Sequence, residues 1–63
     1  MKLKPGQFRV WDGSFFPEKH FLVVSQHGFH GEHSSWKIFD QAGIEFWPQG
    51  WLETFSRVVY EGR

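Results

Sequence analysis

Ser35-Trp36-Lys37-Ile38-Phe39-Asp40-Gln41-Ala42-Gly43-Ile44-Glu45-Phe46-Trp47-Pro48 is the stretch on which the fold turns. Its first half alternates, with Trp36 and Ile38 on one side and Lys37 and Phe39 on the other, which is the period of an extended strand. Asp40-Gln41-Ala42-Gly43 has the composition of a four-residue hairpin turn, with glycine where a positive φ is needed. Ile44-Glu45-Phe46-Trp47 forms the returning strand. Pro48 has no N–H to give to a ladder, so the strand stops there.

Reading outward, Lys4-Pro5-Gly6 makes a bend, and Gln7 to Trp11 follows as a strand with Phe8 and Val10 on one face and Arg9 and Trp11 on the other. Asp12-Gly13-Ser14 breaks the extended run. The segment through Pro17-Glu18-Lys19 has neither period, which puts Phe15 and Phe16 in a long loop. His20 to Ser25 is apolar without alternation and reads as a strand covered on both faces. Gln26 to His33 holds two glycines among polar residues and reads as a connection. Downstream, Pro48-Gln49-Gly50-Trp51 is the length of one 3₁₀ turn, and a last strand is expected from Glu53 to Tyr60. Trp51, Leu52 and Phe55 stand at helical spacing, but Val58-Val59-Tyr60 returns to strand formers. The residues expected to point inward are Phe8, Val10, Leu22, Val24, Ile38, Ile44, Leu52 and Val58. Turn signals every several residues, with no repeat and no linker, predict an all-β single domain over residues 1–63.

The chain of 63 residues has no cysteine, and its seven basic side chains equal its seven acidic ones. So short a chain removes only ~60% of its unfolded surface from water and depends on efficient burial, a metal or a partner subunit. Four Trp, one Tyr and eight Phe supply the burial. They exceed what a small core can hide, so some are expected on the surface as contact residues. Zero net charge argues against a dedicated nucleic-acid coat, which needs an excess of Lys and Arg. Met1-Lys2-Leu3-Lys4-Pro5 lacks the apolar stretch of an export signal, and Phe21-Leu22-Val23-Val24 is far too short to span a bilayer. The expectation is a cytoplasmic protein with no membrane partner.

His27, His30 and His33 are evenly spaced, with His20 upstream. Imidazoles bind transition metals, but structural zinc sites recruit cysteine, and a loop with two glycines does not give ligands rigid placement. The histidines are read as a solvated loop, with no metal and no cofactor. No Gly-x-Ser-x-Gly elbow and no phosphate-cradling glycine loop occurs, so nothing points to catalysis.

Five short strands, a long loop after the first, a tight turn between the third and fourth and one 3₁₀ turn before the last resemble the SH3-like five-stranded small barrel. Lys4-Pro5-Gly6-Gln7-Phe8-Arg9-Val10 is similar to the Pro-Gly bend and strand of KOW-like barrels. Gly43-Ile44-Glu45-Phe46-Trp47-Pro48-Gln49-Gly50-Trp51-Leu52-Glu53 is similar to the family's closing stretch. In peptide-binding members an aromatic groove lies between the first loop and the 3₁₀ turn. The resemblance therefore implies a protein-binding surface of Phe15, Phe16, Trp36, Trp47, Pro48 and Trp51. The acidic cluster that reads a ligand arginine is reduced to Asp12 and Glu18, and the usual first-strand tyrosine motif is missing. Tudor-like and KOW-like members bind nucleic acid, and the matching surface here would be Arg9, Trp11, Lys37 and Phe39. A type II dihydrofolate reductase is similar in outline at Ile44-Glu45-Phe46-Trp47-Pro48. Glu45 replaces an amide there, however, and a ring of carboxylates would repel an anionic cofactor. The leading expectation is a non-catalytic module that binds another protein or a second copy of itself. Short proteins of this frame are common in bacteriophages, which extends the expectation to a phage accessory or virion component.

Overall fold

The hairpin at residues 35–48 forms as its sequence dictates. A computed structural model describes residues 3–28 and 34–62 of the chain. In chain order the strands are β1 (Phe8–Trp11), β2 (His20–His27), β3 (Ser35–Asp40), β4 (Gly43–Pro48) and β5 (Ser56–Tyr60), with one helix, α1 (Gln49–Phe55), between the last two. β3 and β4 pair from Ser35↔Pro48 to Asp40↔Gly43. Asp40 Oδ1 accepts the Ala42 N–H at 2.8 Å across the turn, and Gly43 takes φ +120°, which a side chain would resist.

The five strands make one antiparallel sheet in the order β4-β3-β2-β1-β5. β4 and β5 are its two edges, and α1 connects them. At ~1.5 Å per residue the seven residues of α1 advance only ~10 Å. The outer strands of a flat five-stranded sheet, at ~4.8 Å per step, would stand ~19 Å apart. The sheet must therefore curl, although it does not close into a barrel.

The 3₁₀ turn expected after Pro48 is instead an α-helix of seven residues, and the last strand begins at Ser56 rather than near Glu53. Pro48 is extended (φ −63°, ψ 145°) and precedes the first turn, where its missing N–H costs nothing. Gln49 Nε2 donates to Glu53 Oε2 at 3.3 Å, one helical turn on, and Leu52 is completely buried. The helix has no basic residue in its last turn. A cation reaches that end from β1 instead.

That cation is Arg9, only 2% exposed. Its Nη2 donates to the carbonyls of Leu52 (3.3 Å) and Ser56 (3.1 Å), its Nε to Ser56 Oγ (2.9 Å) and its Nη1 to Gln7 Oε1 (2.9 Å). Ser56 Oγ donates in turn to the Leu52 carbonyl. The unpaired carbonyl end of α1 thus receives both hydrogen bonds and a positive charge. Burial lowers the Arg9 pKa, and the charges of Glu53 and Glu61 oppose that effect. Gln7, also fully buried, passes the network on through its Nε2 to Glu61 Oε1 at 3.2 Å.

Placing Arg9 inside sets the strand faces. Leu3, Trp11, Phe21, Val23, Trp36, Ile38 and Leu52 form the core. Of the residues expected inward, Val10, Ile38 and Leu52 are buried and Val58 is half-buried, whereas Phe8, Leu22, Val24 and Ile44 are exposed. The correction has one cause. β1, β2 and β4 carry large apolar side chains on both faces, so the inward frame belongs to Arg9 and Trp11, to Phe21 and Val23, and to Glu45 and Trp47. β2 is accordingly covered on one face rather than two.

Leu52→Ala is expected to cost ~2–5 kcal/mol of unfolding free energy, because it opens a cavity beneath α1. Ile44→Ala, at a side chain 57% exposed, should cost less than ~1 kcal/mol. Urea unfolding of the two variants checks this order, and equal costs would contradict the assignment of faces.

Candidate functional site

The loop between β1 and β2 is shaped by its first residues. Asp12 Oδ1 accepts the Ser14 N–H at 2.9 Å and the Ser14 hydroxyl at 2.6 Å, and Gly13 turns with φ +87°. The Asp12 N–H donates to the Phe55 carbonyl at 2.9 Å, which fastens the loop to the end of α1. Phe15 and Phe16 are thereby laid across β4 and α1.

The result is a continuous cluster of rings. Trp11 is its floor, buried, with centroids 4.8 Å from Phe16, 5.1 Å from Phe21 and 5.3 Å from Trp47. Phe16 lies 5.0 Å from Trp47 and 6.0 Å from Trp51, and Trp51 lies 5.9 Å from Trp47 and 5.2 Å from Phe55. Phe15 caps the cluster, 4.8 Å from Phe16, 5.0 Å from Trp51 and 5.4 Å from Phe55. Most of these contacts are tilted or edge-to-face, the geometry that ring quadrupoles favour. Phe15 is 59% exposed, so the cluster runs from the core to the surface without a break.

Beside it lies a pocket of about 420 Å³ lined by Trp11, Phe16, Pro17, Glu18, Lys19, Asp40, Glu45 and Trp47. Glu45 Oε1 accepts the Trp47 indole N–H at 3.0 Å, which fixes the ring that forms the pocket wall. Lys19 Nζ meets Asp40 Oδ2 at 3.6 Å, and the Asp40 carboxylate is nearly inaccessible.

Of the residues expected at a protein-binding surface, Phe15, Phe16, Trp47 and Trp51 come together, and Pro48 is exposed where β4 meets α1. Trp36 is corrected: its ring is buried in the core, and its indole N–H donates to Gln49 Oε1 at 3.0 Å, bracing the first turn of α1. Phe55 and Glu45 belong to the site and were not expected there. The Trp51-Leu52-Phe55 spacing was the available signal for Phe55.

The surface expected for nucleic acid is also corrected. Arg9 and Trp11 are buried and Lys37 is half-buried, and only Phe39 is exposed among the four. Arg9 and Trp11 face the core, whereas Lys37 and Phe39 lie on the opposite side of the sheet, so the four do not share a face. His27 packs edge-on against Phe46 at 5.3 Å and shares a 3.0 Å hydrogen bond with Ser25. His30 and His33 lie outside the described residues. Among the described residues no group of three or more metal-ligating side chains assembles, and no helix is long and apolar enough to cross a membrane. Comparison with protein-family models, curated proteins and solved structures finds no match to this chain.

Hydrogen bonds from the Ser14 hydroxyl, and next from the Ser14 N–H, hold the Asp12 carboxyl below its usual range. A depressed pKa makes this contribution complete above the unfolded-state value and lost as pH falls through the folded-state value. Followed by NMR, the Ser14 amide should titrate with a midpoint below ~3.9, the ordinary value for aspartate. The Phe15 and Phe16 ring signals should move with it. A midpoint at or above that value would contradict the loop geometry.

Proposed function

We propose that this chain is a non-catalytic protein-interaction module of the SH3-like small-barrel type, whose ring cluster at Phe15, Phe16, Trp47, Trp51 and Phe55 receives an apolar segment of another protein. The strand order, the long loop after β1 and the short helical connection, α1, between β4 and β5 support the fold reading. The observation that carries the function is the continuity of the cluster, from buried Trp11 to a Phe15 ring more than half exposed.

Rings held by one another lose little freedom when a partner arrives, and Trp and Tyr anchors concentrate interface energy for that reason. In the adjoining pocket Lys19 is paired with Asp40, which leaves Glu18 and Glu45 to set its charge. Their charge favours a partner segment that places a cationic side chain beside the apolar contact, over the faces of Phe16 and Trp47. Such a contact is driven mainly by apolar burial and should hold in high salt, unlike binding that depends on phosphates.

Selection of a random peptide library on the immobilised protein tests this. Enriched peptides are expected to carry aromatic or aliphatic residues with a neighbouring Lys or Arg and to stay bound in high salt. Phe15→Ser and Trp51→Ser variants that remain folded should weaken them ~10-fold or more. Folded variants that bind the same peptides as the parent would overturn the reading. So would a chain that selects no peptide and binds only nucleic acid in low salt.

A further inference from the structure

Two hollows on this molecule share a wall. The pocket beside the ring cluster includes Glu18, Lys19 and Asp40, and so does a second depression of about 530 Å³ on the outer side of the sheet, whose other walls are Phe8, His20, Phe21, Phe39 and Gln41. Both volumes lie within the ~300–1,000 Å³ typical of ligand sites. In the second hollow the rings of Phe8 and His20 stack at 5.3 Å with their planes 16° apart, and Phe39 on β3 is 51% exposed. Accessible rings therefore line this hollow as they line the first.

The shared wall is a fixed ridge at one end of the sheet. The Trp11 N–H donates to the Lys19 carbonyl at 3.0 Å, and Asp40 Oδ1 accepts the Ala42 N–H at 2.8 Å. Between these two anchored residues, Lys19 Nζ meets Asp40 Oδ2 at 3.6 Å, which ties the β1–β2 loop to the β3–β4 turn and neutralises Asp40. Glu18 stands next to the pair, exposed and with no salt-bridge partner among the described residues. Across the two hollows three carboxylates, Glu18, Asp40 and Glu45, face the one ammonium of Lys19. That balance disfavours a phosphate-bearing ligand and favours a cation at Glu18.

Resting on the reading of the ring cluster as a peptide-binding surface, we infer that the bound segment does not end at that cluster. It crosses the ridge with an arginine at Glu18 and places a second apolar side chain in the hollow walled by Phe8 and Phe39. Arginine suits the ridge because its planar guanidinium can fork onto a carboxylate with its edge while its face lies on a ring. Phe8 and Trp11, one in each hollow, are three positions apart on β1, ~10 Å at ~3.3 Å per residue, and point to opposite sides of the strand. The path over the end of the sheet is longer than that direct line, so about five to seven extended residues join the two apolar anchors. The charge of the ridge thus sets what kind of segment can pass, and the second hollow sets how long it must be.

Panning a random dodecapeptide library on the immobilised parent chain, and on folded Phe39→Ser, Glu18→Lys and Phe15→Ser variants, tests this. The parent should enrich peptides in which two apolar residues flank an arginine. Phe39→Ser should bind those peptides ~10-fold more weakly, and its own selection should keep the arginine and lose the second apolar residue. Glu18→Lys, at an exposed loop position, should weaken them ~10-fold or more and lose the arginine from its enriched set, which keeps the test decisive if Phe39→Ser does not fold. In NMR titrations with the enriched peptides, the Phe8 and Phe39 ring signals should move together with those of Phe16 and Trp47. Peptides that weaken on Phe15→Ser but bind parent, Phe39→Ser and Glu18→Lys alike would overturn this inference and leave the ring-cluster reading standing. Peptides that bind Phe15→Ser as they bind the parent, or a parent that enriches none, would overturn both.

Discussion

The buried guanidinium of Arg9 is the interaction on which the rest of the structure depends. A cation without water must be met by acceptors in fixed positions, and Arg9 finds them on three separate parts of the chain: Gln7 just before β1, Leu52 in α1 and Ser56 at the start of β5. Those contacts join β1 to the segment that links the two edges of the sheet. Removing one partner of such a group leaves a buried charge or unmet carbonyls, which costs several times what an ordinary hydrogen bond contributes. The planar fork of donors is essential here, since a lysine ammonium could not reach the same acceptors in the same plane.

From that anchor the contact surface follows. With Arg9 pointing inward, Trp11 two residues on must point inward too, and it becomes the floor on which Phe16 and Trp47 lie. Arg9 also holds the carbonyl end of α1, so Trp51 and Phe55 meet the β1–β2 loop at a fixed height. The same alternation turns Phe8 outward, and register carries the consequence across four more strands to Ile44 and Tyr60. One buried charge thus decides which aromatics fill the core, which reach the surface at the ring cluster and which line the outer face.

Much of this was legible in the sequence, and the remainder has physical reasons. The β3–β4 hairpin, the stop at Pro48 and the loop carrying Phe15 and Phe16 follow from local rules of alternation, turn chemistry and proline. The inward frame of β1 does not. Choosing Arg9 over Phe8 for the interior requires acceptors at Leu52 and Ser56, which lie 43 and 47 residues away. In β4, Ile44 and Phe46 compete with Glu45 and Trp47, and an apolar count alone favours the wrong pair. Pro48-Gln49-Gly50-Trp51 reads as a 3₁₀ turn because the strand formers Val58-Val59-Tyr60 outweigh the short helical spacing of Trp51, Leu52 and Phe55, and the charge at the end of the helix comes from another strand. That Phe15, Phe16, Trp47 and Trp51 come together in space is legible because loop and strand end are sequence features. Trp36 was misplaced because its ring N–H finds Gln49 inside the fold rather than solvent.

Hydrogen exchange of the arginine side chains, followed by isotope-edited NMR after transfer into heavy water at neutral pH, tests the central claim most directly. Arg57 is exposed, which makes it an internal reference in the same molecule. The Arg9 Nε proton, donated to Ser56 Oγ and closed off from water, should exchange ~100-fold or more slowly than that of Arg57. Equal exchange of the two protons in a folded chain would contradict a buried Arg9 and the assignment of strand faces built on it.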